Sequence, residues 1–236
     1  MTKIIQRIEL IFLPPPNPVI SIAGAGGKTT LMFSLAKLSG NRRTVTTTTT
    51  KVGAGQILQA DACYELNAFP PQETPRIMWV SPSLVPESGK IKGCSREEFT
   101  RLAGICKAEG FTLITESDGA AQKHLKAPAA HEPVHPAESD ICIYLIGMDI
   151  LGEPAGSKTV HRPELFARIT GSEEGEPVNA DHLIHLLEHP DGGLKGMPAG
   201  AVKIVHLTHV DSRERMKTAE YIAERLHSYQ YLTYYK

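Results

Sequence analysis

Charge of one sign, paired cysteines and long apolar runs are all scarce in this chain, and each shortage closes a class of function. Lysine and arginine number 25 against 26 acidic residues, a formal net charge of −1. That balance argues against a nucleic-acid coat protein or a basic membrane-surface protein. The four cysteines, Cys63, Cys94, Cys106 and Cys142, are scattered without a C-x-x-C pair. They build neither a zinc knuckle nor a disulfide framework, which points to a reducing cytoplasm. The first apolar run, residues 8–13, contains Glu9 and stops at Pro14. It is too short for a membrane span and lacks a signal-peptide core and cleavage site. A soluble cytoplasmic protein without nucleic-acid or membrane partners is the expectation. At 236 residues, 41% of them apolar, the chain is long enough to bury a core without staples, as one domain over residues 1–236.

Apolar patterning marks the elements. The proline cluster at 14–18 reads as an entry turn, and residues 19–23 form a short, mainly apolar run ending at glycines, as a buried strand does. From about Lys28 the period turns helical, with Leu31, Met32, Leu35 and Leu38 on one face and Gly40 as the stop. Residues 45–49 are a β-branched strand. The stretch from about 60 to 92 is irregular and strand-rich, and is expected as a small insertion. Ser95 opens a helix in capping-box register with Glu98, carries the stripe Phe99, Leu102, Ala103 and Cys106, and ends at Gly110. Strands are expected at 111–115, 141–146 and 202–207, helices at 163–169, 179–188 and about 212–227, and a proline- and histidine-rich loop at about 122–139. Apolar strands alternating with helices predict a three-layer α/β/α fold around a mostly parallel sheet, with ligands at the carboxyl ends of the strands.

The sharpest motif is Gly24-Ala25-Gly26-Gly27-Lys28-Thr29-Thr30, set between the first strand and the first helix. Glycines let the backbone turn its N–H groups onto phosphate oxygens, and the helix N-terminus adds partial positive charge. Lys28 would neutralise the β/γ-phosphates and the Thr29 hydroxyl would ligate Mg²⁺. The strict eight-residue pattern wants glycine at Ile22, so this is a G-x-x-G-K-T-T variant of a P-loop. Such a loop needs an acid at the tip of a neighbouring strand, and Glu116 and Asp118 stand directly after residues 111–115. Either carboxylate could hold the metal shell while the other polarises a water; the expected metal pair is Thr29 with Asp118. The threonine run 46–50 and Lys51 end the second strand beside the same crevice. They read equally as metal or phosphate ligands and as strand formers.

Together, residues 20–30 (ISIAGAGGKTT), 45–51 (VTTTTTK), 115–119 (TESDG), 126–136 (KAPAAHEPVHP), 147–152 (GMDILG) and 161–164 (HRPE) resemble the selenium-dependent hydroxylase accessory protein family, the YqeC type. The resemblance runs from about residue 18 to 212. It implies a P-loop NTPase fold, and a role in maturing selenium-dependent molybdenum hydroxylases, with such an enzyme as client protein. By position, Gly24, Gly27, Lys28 and Thr29 match the nucleotide loop, and Glu116 and Asp118 its acidic segment. Lys126, His131, Glu132 and 161–164 match further polar signature positions without an assigned role. Two departures stand out. The guanine-reading Asn-Lys-x-Asp segment is replaced by Leu207-Thr208-His209-Val210-Asp211, where only Asp211 survives and doubles as a helix cap. His135 stands where an apolar residue is expected.

His131-Glu132-Pro133-Val134-His135 fits the zinc-protease string H-E-x-x-H, but that chemistry needs a helix, which Pro128, Pro133 and Pro136 forbid. A loop metal site from His124, His131 and His135 is a weak alternative, and His182, His185 and His189 read as a polar helix surface. Arg162, beside His161, is the better candidate, as a cation to stabilise a transferring phosphoryl group. Cys94, before a helix N-terminus and near Lys92, is the one thiol whose setting would lower its pKa.

The leading expectation is a Mg²⁺-dependent nucleotide hydrolase using ATP or GTP, with Lys28, Glu116, Asp118 and Arg162 as its catalytic set. The rivals are an ATP-dependent ligase or small-molecule kinase with a Mur-like loop, and a scaffold or metallochaperone that binds nucleotide without hydrolysis.

Overall fold

The computed structural model describes residues 3–5, 16–119 and 123–234. The apolar run 8–13 and the first two prolines of the entry turn lie outside them. Strands β1 (Lys3–Ile5), β2 (Val19–Gly24), β3 (Thr44–Thr48), β5 (Ala62–Glu65), β6 (Ile77–Ser81), β8 (Thr112–Glu116), β10 (Ile141–Gly147), β12 (Val202–Thr208) and β13 (Tyr231–Tyr234) form one nine-stranded sheet. Its order is β1-β13-β12-β10-β2-β8-β3-β6-β5, and every strand pairing within this sheet, among the described residues, is parallel. Burial explains the sequence: β8 and β10 are buried at every position, as strands covered on both faces must be.

Among the described residues five α-helices cover the sheet: α1 (Lys28–Leu38), α2 (Arg96–Glu109), α3 (Pro163–Thr170), α4 (Ala180–Glu188) and α5 (Arg213–Arg225). Alternate residues of a strand face opposite sides. Ile20, Ile22, Ile114 and Leu145 therefore pack on α1 through Leu31, Met32 and Leu35. On the opposite face Val45 and Leu113 meet Phe99, Leu102 and Cys106 of α2. Further along that face Ala23, Tyr144 and Val205 meet Phe166, Leu183 and Ile222 of α3, α4 and α5. Each fully buried side chain of this kind stabilises the fold by roughly 1.5–3 kcal/mol. The result is a three-layer α/β/α fold.

The strand-rich stretch at 60–92 does not stand apart from the sheet. Its β5 and β6 form the far edge of the nine strands, and β7 (Lys90–Lys92) pairs antiparallel with β4 (Lys51–Gly53) as a separate ribbon. A short parallel pair, β9 (Leu125–Lys126) with β11 (Val160–His161), fixes the proline-rich segment to the start of α3. From β2 the chain winds to one side through β3, β5 and β6; after β8 it crosses to the other through β10, β12 and β13. Ligands of open α/β sheets bind outside the carboxyl ends of the strands at such a reversal.

Candidate phosphate site

The loop after β2 passes between the tips of β10 and β12, and its glycines are demanded by that route. A Cβ on Gly24, at φ +93°, would stand 2.2 Å from the Leu145 carbonyl oxygen, and one on Gly26, at φ +101°, 2.6 Å from the Gly147 amide nitrogen. Only glycine combines this backbone with this approach. The Thr208 hydroxyl donates to the Gly26 carbonyl at 2.9 Å and ties the loop to β12. Helix α1 then starts from Gly27 in the left-handed region, with no side chain capping its first turn and no acid in it. Its leading amides therefore point outward without a side-chain acceptor, a disposition that suits an anion.

Lys28 is 6% exposed and reaches back over the loop, its ammonium donating to the Gly24 carbonyl at 2.8 Å. It stands 3.7 Å from Glu116 and 3.8 Å from Asp118. The Thr29 hydroxyl donates to Glu116 Oε2 at 2.7 Å. So the structure brings Lys28 to both expected acids, but joins Thr29 to Glu116 rather than Asp118. The two carboxylates face different ways: Glu116 lines a cleft of about 760 Å³ with Gly26, Thr29 and Thr30, whereas Asp118 lines a second cleft on the far side of the strand tips.

Asp118 also accepts from Lys126 at 2.8 Å, Lys126 lies 3.1 Å from Glu132, and Arg162 pairs with Glu132 in turn. Three cations (Lys28, Lys126, Arg162) thus balance three carboxylates (Glu116, Asp118, Glu132) in one connected, largely buried network. Burial pushes the Asp118 carboxyl above its usual range, against the pull of Lys28 and Lys126. Burial also raises Glu132, but the Arg162 guanidinium and the Lys126 ammonium outweigh it and hold that carboxyl down at about 2. The Lys126 side chain has no exposure, and the Tyr144 hydroxyl donates to its backbone carbonyl at 2.9 Å.

Arg162 therefore braces Glu132, and also donates to the Ala127 carbonyl at 3.3 Å; neither contact is with the glycine loop. Asp211 pairs with Arg215 at 2.9 Å beside the start of α5, in a third cleft, while His209 lines the Glu116 cleft. The threonine run is explained by its hydroxyls: Thr46 and Thr47 donate to carbonyls of β6, Thr48 and Thr49 to those of Glu116 and Ser117. They splice β3 to its neighbours at the site, and Thr50 lines both clefts. Lys51 and Lys90, from the β4–β7 ribbon, also line the Glu116 cleft, as do His124 and Asp149, which share a hydrogen bond at 2.6 Å. No periodicity in the sequence announces Lys90, because the ribbon joins segments nearly forty residues apart.

Cys94 corrects the thiol expectation. Although it precedes α2, burial dominates and pushes its thiol up to about 11. His124, His131 and His135 do not converge either: no group of three or more metal-ligating side chains occurs among the described residues. No described helix is long and apolar enough to cross a membrane.

Comparison with known proteins bears on this arrangement directly. The family model described as YqeC protein matches residues 20–164, more than half of the chain. The chain belongs to the YqeC family. It is 34% identical over 190 residues to a protein of Escherichia coli (strain K12) described as uncharacterized protein YqeC, covering 79% of this chain and 73% of that one. No solved structure shows significant similarity. The YqeC match spans the glycine loop, Glu116, Asp118, Lys126, Glu132 and Arg162, so the whole ion network lies within the family region, and Asp211 lies outside it.

Proposed function

We propose that this YqeC protein binds a nucleoside triphosphate, ATP or GTP, with Mg²⁺ and cleaves its terminal phosphate in the service of a client enzyme. The observation that carries the reading is the uncapped N-terminus of α1 behind a glycine loop, with Lys28 held between two carboxylates. Outward-facing amides and a buried ammonium make a cradle for phosphate oxygens. Thr29 and Glu116 supply neighbouring hydroxyl and carboxylate oxygens, the hard donors that Mg²⁺ takes alongside phosphate and water. Of the two acids open on sequence grounds, Glu116 is therefore assigned the metal side. Held there by Thr29 and Glu116, the ion would supply positive charge to offset that of the phosphates.

The chain's own residues would do the rest. Lys28 turns from the Gly24 carbonyl to the phosphates, and the amides of residues 26–30 fix their position. Asp118, 3.8 Å from Lys28, orients the attacking group. Lys51 and Lys90 on the ribbon add cationic side chains on the opposite wall. The resemblance to the selenium-dependent hydroxylase accessory family supports a molybdenum hydroxylase as client. The four cysteines, all free thiols, support a cytoplasmic location.

The test is release of inorganic phosphate from ATP and GTP, with and without Mg²⁺. Slow Mg²⁺-dependent release that disappears in Lys28→Ala and falls at least about a hundredfold in Glu116→Gln, as loss of preorganised charge stabilisation predicts, supports the reading. Unchanged turnover in Lys28→Ala refutes it.

A further inference from the structure

The Glu116 cleft holds a pair of groups that phosphate binding alone leaves idle. His124 and Asp149 both line it, and His124 Nδ1 stands 2.6 Å from Asp149 Oδ2. The pair is built onto the support of the glycine loop. Asp149 lies on the short helical turn Met148–Ile150 directly after β10, the strand whose Gly147 amide nitrogen would meet a Cβ on Gly26 at 2.6 Å. A Cβ on Gly147 itself would stand 2.5 Å from Asp149 Oδ1, 3.5 Å from the Gly26 Cα and 3.6 Å from the His124 carbonyl oxygen. Loop, carboxylate and histidine backbone therefore meet at one residue, and only its lack of a side chain leaves room for the carboxylate. His124 is fixed in turn where the chain enters β9, its amide donating to the Thr159 carbonyl at 3.2 Å.

Stability does not explain this placement. Asp149 Oδ1 is enclosed and has no hydrogen-bond partner among the described residues, which is costly. The contact at Oδ2 returns little, because the imidazole side chain is 52% exposed. Its chemistry is more telling. An ionised carboxylate only accepts, so Nδ1 carries the ring proton and Nε2 keeps its lone pair. Nε2 makes no hydrogen bond among the described residues. The acids around the loop are engaged instead: Glu116 with Thr29 and Lys28, Asp118 with Lys126 and Lys28. His209, the other imidazole of the cleft, pairs with no carboxylate among the described residues.

We propose that His124 is the general base of the reaction and Asp149 its positioning partner, an assignment that rests on the nucleotide reading. Nε2 takes a proton from the attacking water as the water oxygen forms its bond to the terminal phosphorus. The bond from that phosphorus to the bridging oxygen breaks, and its electron pair leaves with the nucleoside diphosphate. Asp149 steadies the imidazolium until the proton passes to solvent.

The experiment uses the full chain and measures kcat for phosphate release at saturating nucleotide and Mg²⁺, with nucleotide affinity read separately by fluorescent titration. It compares wild type, His124→Ala, Asp149→Asn and Lys28→Ala. His124→Ala is expected to bind nucleotide as the wild type does and to lose about a hundredfold in kcat. Added imidazoles should restore part of that rate, the more so the more basic the imidazole, which a packing role would not produce. Asp149→Asn, which keeps the shape but not the charge, should lower kcat and leave affinity in place. With Lys28→Ala inactive, full kcat in His124→Ala, or a loss that no imidazole restores, overturns the dyad alone. A wild type that releases no phosphate, or an unimpaired Lys28→Ala, overturns the nucleotide reading and the dyad with it.

Discussion

Lys126 is the residue on which the site turns, because it holds a full charge in a place with no solvent. Its ammonium reaches Asp118, the Gly119 carbonyl and Glu132, so its positive charge is compensated on every side. Removing one member of a buried ionic cluster is costly because the partner charges remain. Lys126→Met is expected to destabilise the fold by about 3–5 kcal/mol, read as a shift in the urea midpoint; a loss under about 1 kcal/mol would contradict the network's role. His135 makes a second prediction at this scale. Burial lowers its imidazole to about 4 from the usual 6.5, so between those values the unfolded chain binds a proton that the folded one refuses. Its contribution is whole above pH 6.5 and is lost as the pH falls towards 4. His206, lowered to about 3 by burial, acts in the same direction. Urea unfolding at several pH values should show stability falling below pH 6.5, with a shallower fall in His135→Asn. An identical slope in that variant would remove His135 from the account.

Among the elements, those that build the site were the legible ones. The strand before the loop, α1, and the strand carrying Glu116 all announce themselves by short, mainly apolar and β-branched segments or by a helical stripe. Helix α2 is the clearest: the Ser95–Glu98 box and the Gly110 stop, both visible as letters, are both present as geometry. Ser95→Ala should therefore cost about 1 kcal/mol of unfolding free energy, and no change would mean the cap is idle. What escaped the sequence is short or distant. The strands β4, β7, β9 and β11 have three residues or fewer, too few to show a period, and each pairs far along the chain. The C-terminal strand β13 was hidden because its neighbours β1 and β12 come from opposite ends of the chain. The roles of Thr46 to Thr49 were equally invisible, since donating to a neighbouring strand's carbonyl leaves no mark on local pattern. Gly24 was legible as a motif, but its reason is the approach of the Leu145 carbonyl. Gly24→Ala should abolish soluble folded protein, and a well-folded variant would show that the loop can take another course.

For the whole molecule, the arrangement sets two clefts on either side of the strand tips, with Glu116 facing one and Asp118 the other. Lys28 joins them, 3.7 Å and 3.8 Å from the two acids. The sequence named both carboxylates, but their division between two spaces depends on the crossing of the 131–138 segment over the sheet, which no local pattern encodes. Arg162 shows the same limit: its guanidinium was expected at the phosphates and instead locks Glu132, because β9 and β11 pair and draw the start of α3 to that side. The most direct measurement is equilibrium titration of the protein with fluorescent ATP and GTP analogues, with Mg²⁺ and with a chelator, in wild type and Lys28→Ala. The account predicts saturable binding of at least one nucleotide, tightened by Mg²⁺ and weakened about tenfold or more, about 1.4 kcal/mol, by the substitution. Absence of binding to either nucleotide, or equal affinity in Lys28→Ala, would contradict it.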